Sequence, residues 1–131
     1  MKIEAVDVGL VSPTDALVDF YVQALQLPRL EPRVFPFATV HRLACGPVTL
    51  KVMVPVEAPV TEPPPMPFWT RGGHRYFTLW VDDISALAAS WVSAGGTVIV
   101  APTQVRPGVH SALLADPDAN VLEVMQETAA A

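Results

Sequence analysis

Apolar residues along this chain recur with two periods, and each period appears twice. Residues 5–11, Ala-Val-Asp-Val-Gly-Leu-Val, are a β-branched run of the kind that forms a strand. Leu17, Phe20, Tyr21 and Ala24 follow at i, i+3, i+4 and i+7, which puts one apolar stripe on a helix. Ser12-Pro13-Thr14-Asp15, just before it, has the form of a capping box with proline at the first helical position. Residues 76–81, Tyr-Phe-Thr-Leu-Trp-Val, repeat the strand, and Asp82 takes the capping place. Leu87, Trp91 and Ala94 continue as a second stripe, which Gly95-Gly96 ends. Short strand-like pieces come after each helix: 38–44 and 48–54 in one case, 97–101, 110–115 and 120–125 in the other. A further strand in the first half lies within residues 31–37.

These two passages are copies of one module. At an offset of seventy and without gaps, residues 11–24 match 81–94 at Val11 and Val81, Ala16-Leu17 and Ala86-Leu87, Val22 and Val92, and Ala24 and Ala94. The offset reaches seventy-two at the closing tetrapeptides, Leu50-Lys51-Val52-Met53 and Leu122-Glu123-Val124-Met125. Residues 55–67 hold six of the fourteen prolines, a stiff and extended connector. The expected division is a first βαβββ module at 1–54, a Pro-rich linker at 55–71 and a second βαβββ module at 72–131, within one structural domain. Phe68 and Trp69 either simply follow a spacer or form a lid over a pocket.

Composition narrows the function classes. A chain of 131 residues can bury a real core. Eight Lys and Arg against thirteen Asp and Glu give a net charge of -5 with no basic cluster, so nucleic acid is not an expected partner. No apolar run approaches the ~20 residues of a membrane span, so a membrane is not expected either. The single cysteine, Cys45, can form no internal disulfide, and Lys2, Glu4 and Asp7 stand where a signal peptide needs apolar residues. The expected location is cytoplasmic. With no adjacent base, Cys45 reads as core filler.

Three stretches resemble the vicinal oxygen chelate superfamily, which includes glyoxalase I, extradiol dioxygenases, methylmalonyl-CoA epimerase and the bleomycin-resistance proteins. They are residues 15–28 with the Phe20-Tyr21 pair, residues 76–102, and above all Ala115-Asp-Pro-Asp-Ala-Asn-Val-Leu-Glu-Val-Met-Gln126. The last is similar to a closing Asp-Pro-Asp-Gly-Asn, apolar, Glu signature, with Ala119 in the glycine place. The resemblance covers nearly the whole chain. It implies an α+β fold of two βαβββ modules forming a cupped, mixed eight-stranded sheet around a pocket, and a homodimer. A βαβββ half covers only one side of its sheet with a helix, and pairing two halves shelters the other.

The resemblance also implies where metal ligands would stand: on the concave face, at Lys51 and Glu123 on the last strands and at Val6 and Tyr76 on the first. Only Glu123 matches the ligand chemistry, and a divalent ion needs several deprotonated donors in one shell. No cofactor is therefore expected. A divalent metal is the alternative, held by Glu123 with His74, two residues along the strand from Tyr76, or with Asp7 after a one-residue slip.

Strand alternation then lines the cup with Val6, Val8, Leu10, Thr49, Lys51, Met53, His74, Tyr76, Thr78, Trp80, Val121, Glu123 and Met125, beside Trp69 of the connector. This is a mostly apolar surface with a few converging polar groups, the character of a small-molecule pocket. Lys51 and Glu123 either form an ion pair or do chemistry, with Glu123 as general base or Lys51 stabilising an oxyanion. Tyr76 and Trp80 either pack the core or stack on a flat ligand. His41 and His110 recur in two Val-His dipeptides, and Arg71, Arg75 and Arg106 read as solvated surface.

Two functions compete. One is a metal-free protein that sequesters an aromatic or amphipathic compound, as the bleomycin-resistance branch implies for antibiotics; the acidic balance would suit a cation. The other is a lyase, isomerase or dioxygenase-type enzyme using Glu123 with Tyr76 or His74 as catalytic groups. A pocket that has lost both roles is the third possibility.

Overall fold

The computed structural model describes residues 1–62 and 64–128. The chain divides into two compact units, Met1–Thr61 and Glu62–Ala131, a boundary inside the Pro-rich segment. Unit one contains β1 (Asp7–Val11), α1 (Ala16–Leu25), β2 (Arg29–Val34), β3 (Ala38–Cys45) and β4 (Val48–Pro55). Unit two contains a short 3-10 turn at Phe68–Thr70, then β5 (Tyr76–Trp80), α2 (Ile84–Ala94), β6 (Thr97–Arg106), β7 (Val109–Ala115) and β8 (Val121–Glu127). Each unit has the expected βαβββ order, and each folds a four-stranded mixed sheet: β1-β4-β3-β2 in one and β5-β8-β7-β6 in the other. The first strand pairs in parallel with the last and the other neighbours pair antiparallel.

Both helical stripes are buried as their spacing requires. Leu17, Phe20, Tyr21 and Ala24 are at most 5 % exposed. In α2, Trp91 takes the place of Tyr21, both are fully buried, and the indole Nε1 donates to Ala115 O at 3.0 Å. The opposing sheet faces are the leucines and valines of the two tetrapeptides, Leu50 and Val52 in β4 and Leu122 and Val124 in β8, all buried. The alternate residues of those strands, Lys51, Met53 and Glu123, are half-buried, while Met125 is buried.

The helix starts differ from the sequence expectation. The Ser12–Asp15 capping box does not form: α1 begins at Ala16, Asp15 makes no side-chain cap, and Ala16 N donates to Thr14 Oγ1 at 3.3 Å. Ser12 is fully buried. In unit two the cap is Asp83 rather than Asp82, its carboxylate accepting from Ala86 N at 3.0 Å. Gln126 secures the same end, accepting from Ile84 N and donating to Asp82 O, each at 2.8 Å. The Gly95-Gly96 stop is as expected: Gly95 is left-handed (φ 109°), and Gly96 N donates to Trp91 O at 2.9 Å.

The signature loop between β7 and β8 is held by one buried carboxylate. Asp116 Oδ1 accepts from Asp118 N and Asn120 N, both at 2.9 Å, and Oδ2 accepts from Asn120 Nδ2 at 2.8 Å. Ala119 has φ 67°, the left-handed conformation that disfavours a Cβ, so its deviation from glycine carries strain. Ala119→Gly should stabilise the protein by about 0.5–1 kcal/mol, read from chemical denaturation; a loss of stability would show that the methyl has a packing role.

Candidate functional site

Register fixes which side chains share a face. In unit one, Asp7, Gly9 and Val11 lie opposite Thr49, Lys51 and Met53. In unit two, Tyr76, Thr78 and Trp80 lie opposite Val121, Glu123 and Met125. The first strands therefore correspond at Asp7 and Tyr76, an offset of 69 (76 - 7), and not at Val6 and Tyr76. The buried helix residues Tyr21 and Trp91 keep the offset of seventy, so the path from Asp7 to Tyr21 is 14 residues (21 - 7) and that from Tyr76 to Trp91 is 15 (91 - 76), a difference of one that the gapless repeat could not show.

This slip corrects several placements. Val6 precedes β1, while Val8 and Leu10 pair with Leu50 and Val52 on the helix-facing side, away from Lys51. Asp7 is on the face of Lys51 instead, with 2.9 Å between Asp7 Oδ2 and Lys51 Nζ. Lys51 and Glu123 each find a partner within their own unit: Glu123 Oε1 accepts from Thr78 Oγ1 at 2.9 Å. His74 is an exposed residue of the turn before β5 rather than a member of the strand. His41 and His110 are not equivalent, since His41 lies opposite Val52 and His110 opposite Gln126, whereas Val124 corresponds to Val52. Burial pushes the Cys45 thiol up, which favours its protonated form.

The Asp7–Lys51 pair is about 40 % exposed on both sides, so water and salt screen it. Lys51→Met should change stability by less than about 1 kcal/mol, a difference that shrinks further in high salt. A loss of several kcal/mol in urea unfolding would mean that the pair holds β1 on β4.

Unit two contains a cavity of about 370 Å³. Glu123 and Tyr76 reach it from β8 and β5, Ser111 and Leu113 from β7, Val100, Thr103 and Val105 from β6, and Phe68 and Trp69 from the 3-10 turn. β6 is irregular, with three register shifts against β7. Those shifts decide which of its residues reach the cavity, so alternation alone could not select Val100, Thr103 and Val105. Leu113, directly across from Glu123, was within reach of a pairing rule once the gap before β8 was known.

Trp69 is among the residues that line the cavity. Phe68 is buried and serves as its anchor: its ring is 5.2 Å from that of Trp69, edge-on, and 5.3 Å from that of Tyr76. Pro67 O accepts from Thr70 N and Thr70 Oγ1, which closes the turn beneath them. Trp69 and Tyr76 remain 68 % and 54 % exposed, two flat faces held in place yet open to solvent. Thr78 supports Glu123, and Trp80 and Met125 lie further along the same face, outside the cavity lining. Thr49, Lys51 and Met53 belong to the corresponding face of unit one.

Among the described residues no three His, Cys, Asp or Glu side chains lie close enough to share an ion. Asp7 is neutralised by an ammonium, and His74 is outside the strand that was to present it.

Among the described residues no helix is long and apolar enough to cross a membrane. The model of the Glyoxalase/Bleomycin resistance protein/Dioxygenase superfamily matches residues 10–124. A comparison with curated proteins gave no match. Among solved structures, a glyoxalase-family protein from Bacillus cereus superposes with a TM-score of 0.81 at 12% identity, covering 98% of this chain and 97% of that one. A family enzyme from Burkholderia phytofirmans gives 0.69 at 20% identity, over 92% and 96%. Glyoxalase I from Zea mays gives 0.78 at 20% identity; 95% of this chain is covered, but the match spans only 44% of the maize protein. At these identities the structures speak for the fold, two helices on two four-stranded mixed sheets. With the family match over most of its length, the chain belongs to the glyoxalase, bleomycin-resistance protein and dioxygenase superfamily.

Proposed function

We propose that the protein binds a small, largely aromatic organic compound in the cavity of its second unit, without a metal ion, and acts by sequestering it in the cytoplasm, as a resistance protein would. The observation that carries this reading is the lining: Phe68, Trp69 and Tyr76 form a preset aromatic wall, Val100, Val105 and Leu113 add aliphatic surface, and a few polar groups, chiefly Glu123, give direction. Aromatic faces that are fixed before binding lose little freedom on contact.

A thermal-shift panel of flat aromatic compounds tests this reading. A binder should raise the melting temperature increasingly with concentration, and no stabilisation by any member would count against it. Metal analysis of protein purified without chelator should give Zn, Ni, Fe and Mn well below stoichiometry. A stoichiometric metal that disappears in Glu123→Gln would overturn the metal-free part.

The lyase, isomerase or dioxygenase-type reading keeps one specific support. Glu123 is a half-buried carboxylate in the cavity, with one oxygen fixed by Thr78, an arrangement suited to a general base. Turnover of any panel compound, lost in Glu123→Gln, would favour it. A homodimer belongs to the same proposal, supported by β2, an edge strand exposed along its whole length; a monomeric mass by light scattering would contradict it.

A further inference from the structure

We infer that the compound held in this cavity is a planar aromatic cation bearing an N–H donor, such as a protonated amino-heteroaromatic, and that carboxylates of the same ring size are rejected. This inference rests on the reading of the cavity as a small-molecule site. Among the described residues, Glu123 is the one carboxylate that lines the cavity, and no Lys or Arg lines it. Arg71 faces Glu62 at 3.9 Å, and Arg75 Nε donates to Arg71 O at 3.0 Å. The Glu123 carboxylate is half-buried; Thr78 engages Oε1, and among the described residues Oε2 has no hydrogen-bond partner. A carboxylate in that position accepts a charge-assisted N–H bond and repels an anion. The exposed indole of Trp69 and ring of Tyr76 favour the same class, since their faces attract a delocalised cation. The cavity's 370 Å³ is near the small end for organic ligands, which suits a compact fused-ring system.

The test uses two probes of one shape and opposite charge: 9-aminoacridine, protonated at neutral pH, and anthracene-9-carboxylate. Isothermal titration of the full chain should show the acridinium binding at least about tenfold more tightly. Glu123→Gln, confirmed as folded by its melting curve, should remove that preference by weakening the cation about tenfold while leaving the anion unchanged or tighter. Trp69→Ala should weaken the cation as well. Equal binding of both probes, unaffected by Glu123→Gln, would overturn the ligand class and leave the small-molecule reading standing. Binding of neither probe would overturn the class, and the small-molecule reading would then be decided by the panel.

Discussion

Trp91→Ala is expected to destabilise the protein by about 3–5 kcal/mol, because it empties the centre of unit two. The indole is fully buried between α2 and the sheet, and its Nε1–H is the donor to Ala115 O. Removing it leaves a cavity and deprives a β7 carbonyl of its side-chain donor, so two costs add. Gly96 is part of the same lock. A methyl there would come within 2.8 Å of Trp91 Cε2 and closer still to Nε1 and Cδ1. The ring is pinned by packing and a hydrogen bond and cannot swing away, so Gly96→Ala should cost about 1–3 kcal/mol. The two substitutions should not add: with Trp91 already alanine, the Gly96 methyl has room, and its cost should fall to near zero or reverse. Urea unfolding of the two single variants and the double variant measures this directly. Additive losses would mean that Gly96 is required for its backbone rather than for the space above it.

Asp116→Ala is the second large effect, about 2–4 kcal/mol of lost stability, because two backbone N–H groups and the Asn120 amide lose their acceptor together. Asp116 is 4 % exposed, so water does not replace it easily. The consequence reaches the cavity, since this loop sets where β8 begins and hence the register of Val121 and Glu123 against β5 and β7. Asp116→Asn should recover part of the loss, keeping one oxygen acceptor. A neutral result for the alanine variant would show that the loop holds its shape from the backbone alone, through Asp116 N to Asn120 O and Ala119 N to Asp116 O.

The helices, the strand order and the family were legible because each rests on a local or repeated pattern. Burial of Leu17, Phe20, Tyr21 and Ala24 follows from helical spacing, and the Gly95-Gly96 stop from the need for a left-handed residue. The closing tetrapeptides were legible for a similar reason, since alternation with one buried face leaves Lys51 and Glu123 no choice of side. Placing Val6, Val8 and Leu10 on that side failed by a single residue. In a strand a slip of one exchanges the two faces, and the sequence repeat carries no mark of where the extra residue of unit two was accommodated.

By itself, then, the sequence determined two βαβββ units, the faces of their closing strands, and an aromatic pair poised after the proline run. Each is set by periodicity or by the conformational demands of neighbouring residues. Only the tertiary structure decided that Asp7 neutralises Lys51, that Thr78 holds Glu123, and that Phe68 anchors Trp69 beside Tyr76. The two polar contacts join residues far apart in the chain and depend on strand register, and the aromatic ones depend on the course of the connection into β5. A one-residue shift there changes the partner without changing anything that can be seen locally.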